Sequence, residues 1–453
     1  MNFYHSAFIF LTSSCGLLTW QQYRKREEKP DEKRDNQPSV TPRAKVEARE
    51  FQRLFLTVYC LVMASDWLQG PYVYSLYRDQ FGLGERAVGL LFMAGFLSGA
   101  ISGYFVGQFT DAYGRKSACL IFCIIYSTAC FSTLVPSLPI LLFGRVCSGL
   151  STSLMVSAFE SWMVTEYHKR RVDQAGISLG SMYGIMQTLN SIVAIISGVF
   201  SEWIVEMTGT KRAPFMASAG LLGVAFWVIG LYWTENYGDS RTQDPSASNN
   251  SRNQPPPPPN LRTILTDKRI LALGLASCIF EGSMYLFVFF WSPALHTAHT
   301  YSSTHNTPLP LGLIFASFMT CSMLGSLIFS FLSSPSYTSL SPSRLLSLLF
   351  ATASSSLLLT TMLKDEKATF WAFCVFEICV GMYWPSIGTL KSRVVEDGVR
   401  ARIYGILMIP SNVFVVVALA LIKEGEEYRN GVFLMCGGLL VLTSGVFHWT
   451  VRE

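Results

Sequence analysis

The stretch AVGLLFMAGFLSGAISGYFVGQFTDAYGRK, residues 87–116, decides the fold. Residues 87–109 carry no charge, and as a helix rising about 1.5 Å per residue they span a hydrocarbon core of about 30 Å. The run stops in a short turn that holds Asp111, Gly114, Arg115 and Lys116. An apolar run of membrane length followed by a glycine turn with two basic residues is the pattern of one transmembrane helix handing over to the next.

The rest of the chain repeats that pattern. Apolar runs occur at 54–76, 87–109, 117–135, 138–161, 178–204 and 214–233, and again at 270–292, 311–332, 344–363, 369–390, 403–422 and 431–450. The chain has 453 residues, 50% hydrophobic and only 14% charged, too few charges to coat soluble domains of that size. The expected fold is therefore an all-α polytopic membrane protein of two six-helix bundles. A further apolar run at 3–20 has no basic residue ahead of it, while Arg24, Lys25 and Arg26 follow it. A cleaved signal would carry its positive charge first, so 3–20 reads as a retained anchor.

The expected domains are 1–53, an anchor with a basic tail; 54–233, the first bundle; 234–268, a linker; and 269–453, the second bundle. The linker contains SRTQDPSASNNSRNQPPPPPN, whose Ser, Asn and Pro cannot bury enough apolar surface to fold. With the linker placed in the cytoplasm, 26 Lys and Arg lie on the cytoplasmic side and 8 on the other. The positive-inside rule selects that orientation, which leaves the sequon at Asn249 unglycosylated. All eleven cysteines fall inside apolar runs, which argues for packing and against a disulfide framework or a CxxC metal site.

Ionisable residues inside the runs are costly, at roughly 2.5–3.5 kcal/mol each at the bilayer centre. Four stand out: Asp66, Arg145, Glu281 and Glu377. Counted from one end of its span, each lies about 10–18 Å into the core, close to the midplane. They occupy the first and fourth spans of each half. A shift of 215 places Asp66 on Glu281, and a shift of 232 places Arg145-x-x-x-Gly149 on Glu377-x-x-x-Gly381. Gln69, Tyr72 and Tyr383 share these spans and are weaker candidates, as is Trp384. Glu160 reads as interfacial, and Lys391 and Arg393 as side chains snorkelling outward from a span end. His296, His299 and His305 have too few companions for a metal site, and no cofactor is expected. No nucleophile–base pair appears, so an enzyme is not expected.

The segment Gly107-x-x-x-Asp111-x-x-Gly114-Arg115-Lys116 between the second and third spans resembles the signature of the major facilitator superfamily, as does the six-plus-six layout. Asp111 is expected to cap or pair with a neighbouring helix terminus. What the resemblance implies is two bundles rocking about a midplane site, with Gly107, Asp111, Gly114, Arg115 and Lys116 as a gating latch. The matching loop of the second half, SSPSYTSLSPSR, lacks the pattern.

Longer stretches narrow the likeness: ASDWLQGPYVYSLY, GRVCSGLSTSLMVSAFESWMVTEY, FEGSMYLFVFFWSPAL, PLGLIFASFMTCSMLGS, GMYWPSIGTLKSRVV and the ENYGD after the sixth span. Together they resemble the eukaryotic molybdate-anion transporter family (the type of major facilitator superfamily domain-containing protein 5). That resemblance implies molybdate as substrate, the lipid bilayer as environment, the plasma membrane as location, a functional monomer and no nucleic-acid partner. Arg145 suits an oxyanion, yet three acids share its level. Protons on Asp66, Glu281 or Glu377 would relieve the repulsion, because burial favours the neutral acid. Proton-coupled uptake is the expected mode. A carrier for another small organic solute or cation, and a transceptor that moves little, are the alternatives.

Overall fold

A backbone N–H or C=O in hydrocarbon has no water to bond, so each spanning segment must satisfy its own ladder, and a helix does so within one segment. The computed structural model describes residues 3–27, 42–238, 267–302, 308–333, 341–394 and 400–450. Thirteen long helices fill most of these residues: α1 (Phe3–Glu27), α2 (Pro42–Trp67), α3 (Glu85–Tyr113), α4 (Arg115–Ser132), α5 (Leu138–Lys169), α6 (Leu179–Thr208), α7 (Ala213–Tyr232), α8 (Lys268–Ser302), α9 (Leu311–Leu332), α10 (Pro342–Met362), α11 (Glu366–Val394), α12 (Arg400–Ala420) and α13 (Glu426–Thr450). Among the described residues, nine of the helices are long and apolar enough by composition to cross a membrane. The expected linker disorder falls mainly on 239–266, outside the described residues. Residues 234–238 are described and hydrogen-bonded, as set out below.

The chain divides into two compact units. The amino-half unit comprises 23–82 and 94–249, and the carboxy-half unit comprises 1–22, 83–93 and 250–453. The same neighbour pattern recurs in both. In the amino-half unit α2 packs on α6 and α7, and α4 packs on α5 and α7. In the carboxy-half unit α8 packs on α12 and α13, and α10 packs on α11 and α13. First-with-fifth-and-sixth and third-with-fourth-and-sixth is thus one arrangement used twice.

A further feature common to both halves, the close approach of the fourth helix to the second, has a steric basis in the repeat that aligns Gly149 with Gly381. A Cβ on Gly149 would collide with the Gly95 carbonyl oxygen of α3, and one on Gly381 would collide with the Ser322 carbonyl oxygen of α9. Both glycines let two helix backbones touch, as small residues do in membrane bundles. Serines pin the crossings: Ser98 donates to the Val146 carbonyl at 2.7 Å, and Ser326 donates to the Gly381 carbonyl at 2.9 Å.

One expected span is not a single helix. The run 54–76 ends its α-helix at Trp67 and continues as a 3-10 turn (Gly70–Tyr72), a short α turn (Val73–Ser75) and a π turn (Leu76–Gln80). Pro71 is the reason: its ring has no N–H and clashes with the carbonyl one turn back. Asp66 therefore sits on the last turn before the break.

The apolar run at the amino terminus forms α1, which packs on the carboxy-half unit. Ala7, Leu11 and Cys15 are buried against it, while Phe10 and Leu17 stay exposed. The Tyr4 hydroxyl donates to Glu366 at 2.5 Å, and the Gln22 amide donates to the Leu327 carbonyl at 3.0 Å. Phe3 and Tyr4 meet Phe370 edge-on.

Because the Gly149 and Gly381 contacts are backbone on backbone, even one added methyl group must push helices apart, at about 1–3 kcal/mol. Gly149→Ala and Gly381→Ala are each expected to lower the melting temperature of the purified protein in detergent. Gly180→Ala, where the added carbon meets open space, should leave it unchanged. Equal melting of all three would refute the crossing argument.

Candidate functional site

In the amino-half unit the half-buried charges Asp66 and Arg145 form one cluster. Asp66, at the end of α2, accepts a hydrogen bond from the Tyr126 hydroxyl of α4 at 2.5 Å. The Arg145 guanidinium of α5 hydrogen-bonds Tyr77, on the π turn, and lies close enough to act electrostatically on Asp66 and Tyr126. Room for the guanidinium comes from Gly95 of α3, where a Cβ would stand 2.8 Å from Arg145 Nη2. Acid, base and two phenols are thus brought together by the break at Pro71 and by the close α3–α5 crossing.

Gln69 and Tyr72 lie beside this cluster and bond elsewhere. The Gln69 amide donates to the Ser65 carbonyl at 3.0 Å and to Cys130 Sγ at 3.5 Å, not to Asp66. The Tyr72 hydroxyl donates to Glu202 of α6 at 2.8 Å. Glu160 is exposed and accepts from Tyr183 at 2.5 Å. Tyr126 and Tyr77 were missed by sequence reasoning, because a tyrosine in an apolar run reads as membrane-belt or packing residue. The signal that could have found Tyr77 is Pro71, which breaks the helix just ahead of it.

The carboxy-half unit holds a second cluster of similar chemistry. Glu281 of α8 is buried and accepts from the Tyr383 hydroxyl of α11 at 2.8 Å, and the same hydroxyl lies 3.3 Å from Ser277 Oγ. The Tyr383 ring stacks on Phe280 with centroids 4.2 Å apart, so residues 280 and 281 together seat ring and hydroxyl. Lys391 Nζ lies 3.8 Å from Glu281 Oε1, with 14% of its side chain exposed. The expected outward snorkelling of Lys391 is therefore corrected. Side chains on a helix lean toward its amino terminus, which for a residue near the end of α11 means back into the bundle, where Glu281 waits.

Glu377, two turns ahead of Pro385 on α11, is also buried, and no hydrogen-bond or ion-pair partner is found for it among the described residues of its unit. Trp384 is exposed, at 45%. His299 pairs with Glu366 at 2.8 Å, and His305 lies outside the described residues. Among the described residues no group of three metal-ligating side chains converges.

The glycine–acid–base turn after α3 is built differently from expectation. Asp111 does not cap a helix: its carboxylate pairs with Arg115 one turn on, at 2.7 Å. Arg115 also donates to the Ser161 carbonyl and to the Thr165 hydroxyl of α5. The cap on α4 comes from Glu235, after α7. Its carboxylate accepts from the Lys116 N–H at 2.7 Å and the Ser117 N–H at 3.0 Å, while the Arg115 N–H donates to the Asn236 carbonyl at 2.9 Å. The Gly114 N–H donates to Thr110, so every orphan donor of that terminus is met. Gly114 has φ +106°, and a Cβ there would stand 2.5 Å from the Glu235 carboxylate carbon. The Lys116 ammonium donates to the Gly230 carbonyl at 2.9 Å. Gly107, by contrast, lies within α3 with open space beside it, so the turn does not require it. The ENYGD segment thus supplies a negative side chain to a helix amino terminus, where the exposed N–H groups favour one. Glu235→Ala should cost about 1–2 kcal/mol, read as a lowered melting temperature. Glu235→Gln should keep part of that loss, since an amide oxygen still accepts one N–H.

Comparison with known proteins places this architecture. A family model described as sugar transporters with twelve transmembrane segments matches residues 3–369. The molybdate-anion transporter of Danio rerio is 29% identical over 439 residues, covering 90% of this chain and 88% of that protein. The molybdate-anion transporter of Takifugu rubripes is 29% identical over 421 residues, covering 87% and 85%. Among solved structures, the nucleoside transporter NupG superposes with a TM-score of 0.67 at 12% identity, over 89% of this chain and 99% of that one. A bacterial homologue of the human lysosomal transporter Spinster, inward-facing and occupied, gives 0.66 at 14% identity, over 88% and 96%. Fold, helix packing and the match across most of the chain agree: the chain belongs to the twelve-segment transporter family of the major facilitator superfamily and is a multi-pass membrane transporter.

Proposed function

We propose that the protein is an alternating-access secondary transporter for the molybdate anion, coupled to protons and placed in the plasma membrane. The observation that carries the reading is the Arg145 guanidinium, oriented by Tyr77 and given space by Gly95 inside the amino-half unit. A guanidinium has five donors in a rigid fork that matches two oxygens of a tetrahedral oxyanion. The relatives named molybdate-anion transporters, which match most of the chain, support the same substrate.

The excess of acids is met by the geometry as follows. Asp66 has a phenol donor, Tyr126, and the Arg145 cation near it. Glu377 is buried without a counter-ion among the described residues of its unit, and a lone carboxylate in an apolar interior is costly unless it binds a proton. Glu377 is accordingly assigned the coupling proton, so that anion and proton enter together. In this scheme Arg145 contacts substrate, Asp66 and Tyr77 orient Arg145, and the Asp111–Arg115 pair with its Glu235 brace is the latch.

A second reading has its own support: the matching family model is described as sugar transporters, and with Glu377 counted the acids Asp66, Glu281 and Glu377 outnumber the bases Arg145 and Lys391. Uptake of labelled molybdate into proteoliposomes, in competition with tungstate, sulfate and a hexose, separates the readings. Tungstate should compete best and hexose not at all. Arg145→Ala should cut molybdate uptake by at least tenfold, and unchanged uptake would remove Arg145 from the site. Lowering the outside pH should raise uptake by the wild type, because protons then run inward with the anion. Glu377→Gln should abolish that response, and a retained response would move the coupling proton elsewhere.

A further inference from the structure

We infer that the amino-half unit holds a site for an anionic phospholipid, with the acyl chain in a groove between α2 and α6 and the phosphate at Arg53. The groove has a volume of about 550 Å³ and lies within that one unit. Cys60, Ala64, Val193 and Ile196 are among its apolar walls, and Arg53 also lines it. Helix geometry sets this layout. Positions 45, 49, 53, 57, 60 and 64 follow one another at spacings of four and three, so they form one ridge along α2. The ridge reads Lys45, Arg49, Arg53, Thr57, Cys60, Ala64. Its first three members are exposed cations, and the stretch from Arg53 onward lines the groove. The Thr57 hydroxyl is turned onto its own helix, donating to the Arg53 carbonyl at 2.9 Å.

A phospholipid matches this layout in length, volume and charge. From Arg53 to Ala64 the helix rises about 16 Å, half of an apolar layer about 30 Å thick, which is the depth of one leaflet's chain. The volume falls in the range of roughly 300–1,000 Å³ typical of small-molecule sites. The Arg53 guanidinium offers a phosphate two parallel donors, and Arg49 and Lys45 extend the positive charge beyond the groove. That end lies on the side to which the positive-inside rule assigns the cytoplasm, whose leaflet carries the anionic lipid. Other charges of the same stretch are disposed differently. Arg43 pairs with Glu47 at 3.0 Å, and Glu47 and Glu50 line a separate cavity with Arg170 and Arg171. The acids thus gather on another side of α2, beside cations, while the ridge that leads into the groove carries cations alone. A basic stretch that served only to orient the chain would need no such division, because orientation depends on how many charges there are and not on which face carries them. Free phosphate would make no use of the apolar walls, and a neutral lipid none of the ridge. An anionic phospholipid uses both, whatever solute the transporter carries.

The test is thermal melting of the purified full-length protein in a neutral detergent, titrated with three compounds. They are phosphatidylserine, phosphatidylcholine with the same chains, and glycerophosphoserine, which is the headgroup without chains. Phosphatidylserine should raise the melting temperature of the wild type saturably, and the other two should not. Arg53→Gln should weaken the apparent affinity about fivefold, the share of one basic residue near an anionic headgroup. Ile196→Trp fills the groove from an exposed position and should abolish the response with every cation still in place. Both substitutions alter exposed side chains, so without lipid both variants should melt as the wild type does. Arg43→Gln removes the same charge from another side of the helix and should leave the affinity unchanged. Equal weakening by Arg43→Gln and Arg53→Gln would reduce the effect to diffuse attraction and overturn the site. A response to glycerophosphoserine equal to that to phosphatidylserine, or one retained by Ile196→Trp, would remove the chain from the groove. Equal stabilisation by phosphatidylcholine, or none by phosphatidylserine, would likewise overturn the assignment.

Discussion

Charge carried into a helix bundle must be answered inside it, because lipid cannot answer it, and the arrangement of both units follows from how that is done. Asp66 and Glu281 are each met first by a phenol, Tyr126 at 2.5 Å and Tyr383 at 2.8 Å. A tyrosine hydroxyl satisfies a carboxylate while its ring joins the apolar packing, so one side chain settles both requirements. Arg145 bonds to Tyr77 and lies near Asp66, and Lys391 pairs with Glu281 at 3.8 Å.

The helix crossings make such clusters possible. Gly149 and Gly381 bring fourth helices onto second helices backbone to backbone, and serines bond across each crossing. Contact this close fixes the rotation of α5 and α11 about their own axes, and with it the direction in which Arg145, Tyr383 and Lys391 point. At the end of α3 the same economy holds for backbone donors. Glu235 and Asn236, from after α7, satisfy the first N–H groups of α4, while Arg115 ties Asp111 to α5. The turn is therefore a junction of four segments, α3, α4, α5 and the stretch of chain leaving α7, and its charges are committed to one another.

Polar groups at other helix ends join neighbouring helices. Tyr4, Glu366 and His299 connect α1, α11 and α8 in the carboxy-half unit. The extra amino-terminal helix is thus held by hydrogen bonds at both ends and by an apolar face between them, with its opposite face of Phe10 and Leu17 left uncovered. That division, one face buried and one apolar face exposed, is what a helix at the lipid boundary requires.

Run lengths, the shortage of charge and the spacing of buried acids and bases were legible in the sequence by itself. They are one-dimensional consequences of an apolar layer about 30 Å thick and a helical rise of about 1.5 Å per residue. They identified the membrane fold, the repeated halves and the four residues Asp66, Arg145, Glu281 and Glu377 as costly insertions. What only the tertiary structure decided is who answers each charge. Glu235 reaches a helix 119 positions away in the chain, Tyr126 reaches Asp66 across 60, and Tyr383 reaches Glu281 across 102. The inward turn of Lys391 was equally hidden, since a lysine at a span end can point either way until a partner helix offers an acid. Hydropathy records whether a residue is costly in lipid; the crossing geometry of distant helices determines how that cost is met.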